Sequence, residues 1–131
     1  MLKFLFTLLL LALFSFSFAG TVVVTTTNDS GAGSLRASIA SATSGDTIRF
    51  SPSLIAGGSD TLLLSSTLLI NKPLIIKGLY NSTDSLFISG GNKQILIVSI
   101  ATSIVKNFYF DSVCLINGRA TKGAAIQFRG E

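Results

Sequence analysis

Residues 86–97 read Leu86-Phe-Ile-Ser-Gly-Gly-Asn-Lys-Gln-Ile-Leu-Ile97, and this stretch decides the fold. It holds two short apolar runs, which begin at Leu86 and Ile95 and are separated by turn-forming Gly and Asn residues. Such short runs are too brief for packed helices and are typical of strands. Side chains two positions apart lie on one face of a strand, so Leu86 and Ile88 can both face a core.

Similar runs recur on both sides of this stretch at a nearly constant spacing. One series steps by 19 and 22 residues and comprises Thr67-Leu-Leu-Ile-Asn71, Leu86-Phe-Ile-Ser-Gly90 and Phe108-Tyr-Phe-Asp-Ser112. A second series steps by 21 and 18 residues and comprises Leu74-Ile-Ile76, Ile95-Leu-Ile97 and Val113-Cys-Leu115. A repeat of about 20 residues marks a solenoid. A two-sheet sandwich would also give short strands, but it has no reason to keep two series in phase.

The spacing therefore predicts an all-β fold, a parallel β-helix whose successive coils stack about 4.8 Å apart. Each coil of about 20 residues has too little apolar surface to form a core alone, and stacking buries a shared core. Residues 46–131 would supply about four coils at this period. In this alignment Asp111 lies beside Ser89 and Ile70, and no stack of carboxylates forms.

Residues 20–45 are expected to form a strand and a short helix that covers the first coil. The strand is predicted at Thr21–Thr27, where every residue is β-branched. The helix is predicted at Ser34–Thr43, with Ser34 as its N-cap and Gly45 beyond its end. Its apolar stripe consists of Leu35, Ile39 and Ala42.

Residues 1–19 have the three parts of a secretory signal peptide. Lys3 supplies the positive charge, an apolar stretch follows, and small residues stand at Ser17 and Ala19. The alternative is a retained membrane anchor, but Phe4–Ala19 is shorter than the ~20 residues that a bilayer span needs. We expect cleavage after Ala19 and export to the cell surface or the medium, with membrane contact only through this segment.

The composition excludes several classes of site. The chain has no His and no Trp, and Cys114 is its one cysteine, which rules out a Ser-His-Asp triad, a zinc finger and an internal disulfide. The ten Lys and Arg residues are spread singly, whereas nucleic-acid binders cluster them. The sequence therefore predicts no catalytic residue, no cofactor and no metal ligand within the chain, and no nucleic-acid partner.

Three segments resemble a known family. They are Thr25-Thr-Thr-Asn-Asp-Ser-Gly-Ala-Gly-Ser-Leu-Arg-Ala-Ser-Ile39, Gly45-Asp-Thr-Ile-Arg-Phe50 and Leu115-Ile-Asn-Gly-Arg-Ala-Thr-Lys-Gly-Ala-Ala-Ile126. The chain is similar here to the start of secreted bacterial right-handed parallel β-helix repeat proteins. The resemblance covers residues 21–128 and departs from the family at Ala124, where a second Gly is usual. It implies a right-handed solenoid with an N-terminal capping helix.

Two functions are compatible with this resemblance. The first is an exported, non-enzymatic scaffold at the cell surface, adhesin-like, with glycans or cell-surface components as partners. Candidate sugar contacts are the hydroxyl-rich stretches 25–27 and 65–67 and the aromatic rings of Tyr80 and Tyr109. The alternative is the N-terminal part of a polysaccharide lyase or glycoside hydrolase whose active site lies beyond residue 131, because the same fold hosts such enzymes.

The end of the chain carries one more expectation. Family members usually continue far beyond the pattern that stops here at Gly130-Glu131, so the C-terminal end of the solenoid is expected to be incomplete. An uncapped last coil exposes strand edges that can pair with another chain. We therefore expect self-association through this coil.

Overall fold

The computed structural model describes residues 19–100, 108–121, 123 and 125–130. These residues form a largely β fold with one α-helix, α1 at Leu35–Ser41, and a 3-10 turn at Pro52–Ile55. The strands are β1 Thr21–Val24, β2 Thr47–Phe50, β3 Asp60–Leu63, β4 Leu68–Ile70, β5 Ile75–Lys77, β6 Leu86–Lys93, β7 Leu96–Ile100, β8 Tyr109–Asp111, β9 Cys114–Gly118 and β10 Ile126–Gly130. None of the helices described is long and apolar enough to span a bilayer.

The ten strands form three parallel sheets. Sheet 1 has the order β1-β2-β5-β8, sheet 2 has the order β3-β6-β9, and sheet 3 has the order β4-β7-β10. From β2 onward each strand pairs with the strand three elements further along the chain. From β2 onward consecutive strands therefore belong to different sheets, and parallel pairing is possible because two strands and their loops separate the partners; between β1 and β2 the connection contains α1.

The predicted period of about 20 residues is wrong. Paired residues lie 26 positions apart at Thr21 and Thr47, 28 apart at Leu68 and Leu96, and 34 apart at Ile75 and Tyr109. Residues 46–131 supply three described strands to each sheet. The expected four coils rest on a period of about 20 residues, so that number no longer follows.

The predicted alignment of Asp111 with Ser89 and Ile70 is wrong for the same reason. Asp111 pairs with Lys77 in sheet 1, whereas Ser89 lies in sheet 2 and Ile70 in sheet 3. The sequence series compared runs that belong to different sheets.

Apolar side chains stack in register along each sheet and form one core. In sheet 1 the inward row is Val22, Ile48, Ile76 and Phe110. In sheet 2 it is Leu62, Ile88 and Leu115, and in sheet 3 it is Leu68, Leu96 and Ile126. The members from β2 to β7 are buried, whereas Val22 on β1 and the members from β8, β9 and β10 are only partly buried. The core is therefore most fully buried beside α1 and along β2 to β7, and it opens towards the last strand of each sheet.

The helix prediction is confirmed, with a shorter span than expected. The Ser34 side chain accepts a hydrogen bond from the backbone N–H of Ala37, which is the N-cap interaction that the sequence predicts. The stripe of Leu35, Ile39 and Ala42 is buried in the core. The helix ends at Ser41, two residues before the predicted end.

Two strands differ from their predicted bounds. β1 stops at Val24, because the backbone N–H groups of Thr25 and Thr26 both donate to the carbonyl of Gly33 instead of continuing the ladder. β6 runs through the expected turn at Gly91-Asn92 to Lys93, with a shift of register between Ser89 and Lys93. Asn92 has a φ of 65°, so the turn-forming residues produce a bulge there.

Some expectations lie outside the described residues. The predicted signal peptide comprises residues 1–19, and only its last residue, Ala19, is described. The sequence also indicates a short strand at Ile104–Val105 and a role for Asn107 in a ladder of turn residues, and both lie outside the described residues.

Candidate functional site

A groove of about 350 Å³ runs along the outer face of sheet 1 and is the best candidate for a binding site. Arg49, Lys77 and Asp111 stand side by side in it, because they are partners in the parallel register of β2, β5 and β8. Each follows an inward apolar residue of the sheet 1 row, so strand alternation turns all three outward. Tyr80 contributes an aromatic ring to the same groove.

Tyr80 is held at the base of a tight hairpin after β5. It forms an isolated antiparallel bridge with Ser85, and the N–H of Asn81 donates to the carbonyl of Asp84 at 2.8 Å. The Asn81 side-chain oxygen accepts hydrogen bonds from the N–H groups of Thr83 at 2.8 Å and Asp84 at 2.7 Å. This loop therefore presents Tyr80, which is 64% exposed, on a structured support.

The cations of the groove are not equivalent. The Lys77 ammonium group lies 3.6 Å from the Asp111 carboxylate and forms an exposed ion pair. The Arg49 side chain is exposed and forms no hydrogen bond or ion pair with any residue that the structure describes. A guanidinium group offers a planar fork of donors that fits carboxylate or sulfate groups in two parallel hydrogen bonds. Arg49 is therefore available to an acidic ligand.

Gly78 and Ser112 form the floor of the groove. The N–H of Gly78 donates to the carbonyl of Asp111 at 2.7 Å, and a Cβ atom at position 78 would lie 1.8 Å from the carbonyl oxygen of Ser112. Only glycine permits this close approach of the two chain segments. Ser112 itself adopts a φ of 56°, which ends β8 and turns the chain towards β9.

A second groove, of about 320 Å³, lies between α1 and β4, but its cations are already engaged. Lys72 donates to the carbonyl oxygens of Ala40 at 3.1 Å and Ala42 at 2.6 Å, which are orphan acceptors at the end of the helix. Arg36 donates to the carbonyl oxygens of Ser66 and Thr67. These contacts fasten the helix to the loop between β3 and β4, so we assign this groove a structural role.

Residues 29–36, within the first of the three segments named in the sequence analysis, serve the same attachment. Arg36 forms an ion pair with Asp29 at 2.7 Å, and the Ser65 hydroxyl donates to the other carboxylate oxygen of Asp29. Gly33 has a φ of 77°, and a Cβ atom there would lie 2.2 Å from the Thr25 hydroxyl oxygen. The motif therefore fixes the loop before α1 against the loop before β4.

The two carboxylates of the N-terminal region are stabilised in their charged form. Burial acts to raise the pKa of Asp29, but the hydrogen bonds from Ser65 and Arg36 and the positive charge of Arg36 outweigh it and lower that pKa. Hydrogen bonds from the backbone N–H groups of Thr43 and Gly20 lower the pKa of Asp46.

The other candidate residues divide between structural and exposed positions. The hydroxyl of Thr67 donates to the carbonyl of Gln94 at 2.8 Å, and that of Ser65 binds Asp29, so the hydroxyl-rich stretch 65–67 is used internally. Tyr109 is 52% exposed on β8, and Cys114 is half-buried on β9. Among the residues described, no three His, Cys, Asp or Glu lie close enough together to hold a metal ion.

Sequence reasoning missed the groove. Arg49, Lys77 and Asp111 are 28 and 34 positions apart, so no period near 20 brings them together. The available signal was their common position directly after an inward apolar residue.

Comparison with family models, with curated proteins and with solved structures finds no match to this chain.

The Asp29 ion pair predicts how stability depends on pH. A carboxyl whose pKa is lower in the folded than in the unfolded chain stabilises the fold above the unfolded value, near 3.8, and this contribution is lost as pH falls through the folded pKa. We expect Asp29→Asn to be less stable than the parent chain at neutral pH. It should also lose less stability between roughly pH 5 and pH 2, the interval in which such carboxyl groups titrate. Chemical denaturation at each pH measures both effects. Asp60→Asn removes an exposed carboxylate that contacts only the N–H of Thr61 and should retain the parent profile. An unchanged profile in Asp29→Asn would contradict the role of the ion pair.

Proposed function

We propose that this chain is an exported, non-enzymatic scaffold with the architecture of a right-handed parallel β-helix, and that it contacts acidic glycans through the groove on sheet 1. The observation that carries the glycan contact is the unpaired guanidinium group of Arg49 beside the exposed ring of Tyr80. Export rests on the signal-peptide pattern of residues 1–19, and a location at the cell surface rests on the resemblance to secreted β-helix proteins.

The pairing pattern supports the β-helix. From β2 onward the chain visits sheet 1, sheet 2 and sheet 3 in turn, and then returns to sheet 1 beside its previous strand. A chain that winds repeatedly through three parallel sheets produces this order, and each circuit buries its apolar side chains against the next. Parallel connections are right-handed in about 98% of cases, which supports the right-handed form.

The chemistry of the groove supports an acidic sugar as the ligand. Exposed guanidinium groups bind carboxylates and sulfates, and an aromatic ring can pack against the apolar face of a sugar. Asp111 binds Lys77, so it does not neutralise Arg49. The eight other residues that line the groove around Arg49 leave it open to solvent, which suits a chain of sugars that extends beyond the site.

A non-enzymatic role is supported by the positions of the carboxylates. Asp29 and Asp46 accept hydrogen bonds that fasten the N-terminal region, and Asp84 belongs to the hairpin that supports Tyr80. Asp111 is the one carboxylate in the groove among the residues described. Glycoside hydrolysis requires a pair of carboxyl groups that flank the scissile bond.

Glycan binding predicts a specific loss on substitution of Arg49. We expect Arg49→Gln to weaken binding of an acidic oligosaccharide, such as a uronic-acid oligomer, by about tenfold, since a charge-assisted hydrogen bond contributes about 1.5–3 kcal/mol. Tyr80→Ala should weaken binding of both acidic and neutral oligosaccharides. Isothermal titration calorimetry at low salt measures both effects.

Arg119→Gln is the matched control for this prediction, because Arg119 is exposed, carries the same charge and lies at the end of β9 outside the groove. It should leave the affinity unchanged. Equal weakening in Arg49→Gln and Arg119→Gln would show that net charge alone governs binding, and absence of binding across acidic glycans would leave only the scaffold.

The proposal includes association with a second copy of the chain. Strands β8, β9 and β10 are edge strands of the three sheets, and Phe128 on β10 is 68% exposed. Unpaired strand edges beside an exposed apolar side chain favour pairing with another strand.

We expect a chain of residues 20–131 to sediment as dimers or larger species at micromolar concentration. Phe128→Glu should shift it towards monomer, because the added charges repel and the apolar contact is lost. Leu69→Glu places the same charge on β4, the opposite edge of sheet 3, where the side chain is 57% exposed, and should have no such effect. A monodisperse monomer of the parent chain would contradict this association.

A further inference from the structure

Asp46 is the one charged residue that is buried in the described part of the chain, and its carboxylate accepts hydrogen bonds from three donors. It is 6% exposed. The backbone N–H of Thr43 donates to it at 2.7 Å and the Thr43 hydroxyl at 2.9 Å. The third donor is the backbone nitrogen of Gly20, at 2.7 Å. The Asp46 carboxylate thus joins the turn that follows α1 to the residue that precedes β1.

Gly20 is fixed on both sides. Its nitrogen binds Asp46, and its carbonyl oxygen accepts a hydrogen bond from the N–H of Thr47 at 2.8 Å, directly before the pairing of β1 with β2. Ala19 and Gly20 are both exposed. The peptide bond between them therefore lies at the surface, and the ordered strand begins immediately after it.

We propose that hydrolysis of the Ala19–Gly20 bond during export leaves a Gly20 α-ammonium group that forms an ion pair with Asp46. The proposal rests on the proposed export of the chain. In the reaction, a peptidase of the export machinery adds water across the bond, the C–N bond breaks, and Ala19 leaves with the new carboxylate. Gly20 retains the nitrogen, which gains a second hydrogen from the water and is protonated to the ammonium form at neutral pH.

The contact between Gly20 and Asp46 becomes stronger when cleavage adds a positive charge to the Gly20 nitrogen. Before cleavage the contact is a hydrogen bond from a neutral amide to a carboxylate, and after cleavage both partners are charged, which makes the bond stronger. The Asp46 side chain is buried although Gly20 is exposed, so salt and water screen this pair less than an ion pair whose two partners are both exposed. Lys72 is the other charged group that acts on Asp46, and its ammonium group is bound to the carbonyl oxygens of Ala40 and Ala42. Its charge opposes the new ammonium group, but the direct contact at 2.7 Å dominates because Coulomb energy falls with distance.

The test uses the full chain, produced with its own residues 1–19 in a bacterial host that exports it. N-terminal sequencing identifies the first residue of the exported chain, and reductive methylation with ¹³C-formaldehyde, followed by NMR, reports the α-amino group separately from the lysines. The methylation rate is measured at several pH values. Near neutral pH we expect the Gly20 amine of the parent chain to react at least about tenfold more slowly than that of Asp46→Asn, because the carboxylate raises the pKa of the amine. Asp60→Asn removes an equal charge at the start of β3 and should leave the rate unchanged.

A second variant keeps Asp46 intact, so the test does not depend on the folding of Asp46→Asn. A chain that starts at Ala19 moves the ammonium group one residue away from the carboxylate, and its α-amine should react about tenfold faster than that of a chain starting at Gly20. Self-association through β8, β9 and β10 does not obstruct the measurement, because β1 lies at the opposite edge of sheet 1 from β8.

The outcomes separate the two claims. An exported chain that starts at Gly20 but whose amine reacts at the rate of the Asp46→Asn variant would overturn the ion pair and leave export intact. A leader that is retained, or cut at another bond, would overturn the proposed cleavage itself. Slow methylation that is lost both in Asp46→Asn and in the chain starting at Ala19 is the result that supports the proposal.

Discussion

The structure depends on the in-register stacking of apolar side chains between parallel strands. Ile48 and Ile76 are paired neighbours in sheet 1 and are both buried, and their row continues to Phe110 on β8. Each three-residue or four-residue strand buries little surface alone, so the free energy of folding comes from contact with the strands before and after it. The outward face follows from the same constraint, because strand alternation that turns Ile48 and Ile76 inward turns Arg49 and Lys77 outward beside each other.

The first strands of such a stack must be covered by another element, here α1, and polar contacts hold α1 in place. The ion pair of Asp29 and Arg36 and the bonds of Lys72 to helix carbonyls hold α1 against the loops that precede and follow β4. Asp46 joins the end of the helix region to Gly20 at the start of β1. Residues 29–36 therefore have a structural role, and the candidate binding groove is built from residues outside them.

The sequence predicts the elements of this fold better than their pairing. Ser34, Leu35 and Ile39 identify the helix because capping and a 3.6-residue stripe are local properties. Alternation likewise identifies which face of a strand is buried. The choice of partner strand depends on the lengths of the loops, which differ from one circuit to the next, so the paired residues lie 26 to 34 positions apart. The same holds for the groove, since the sequence places Arg49 and Asp111 in one groove only once the register of the strands is known.

The measurement that tests the register most directly is disulfide formation between introduced cysteines in a Cys114→Ser background. Parallel neighbours about 4.8 Å apart are within the Cα separation that a disulfide allows. The observed pairing of Lys77 with Asp111 predicts that cysteines at these two positions form a disulfide under mild oxidation. Cysteines at Ser89 and Asp111, which a 20-residue period would place together, should not, because these residues belong to different sheets. Bond formation in the second pair and not in the first would contradict the account.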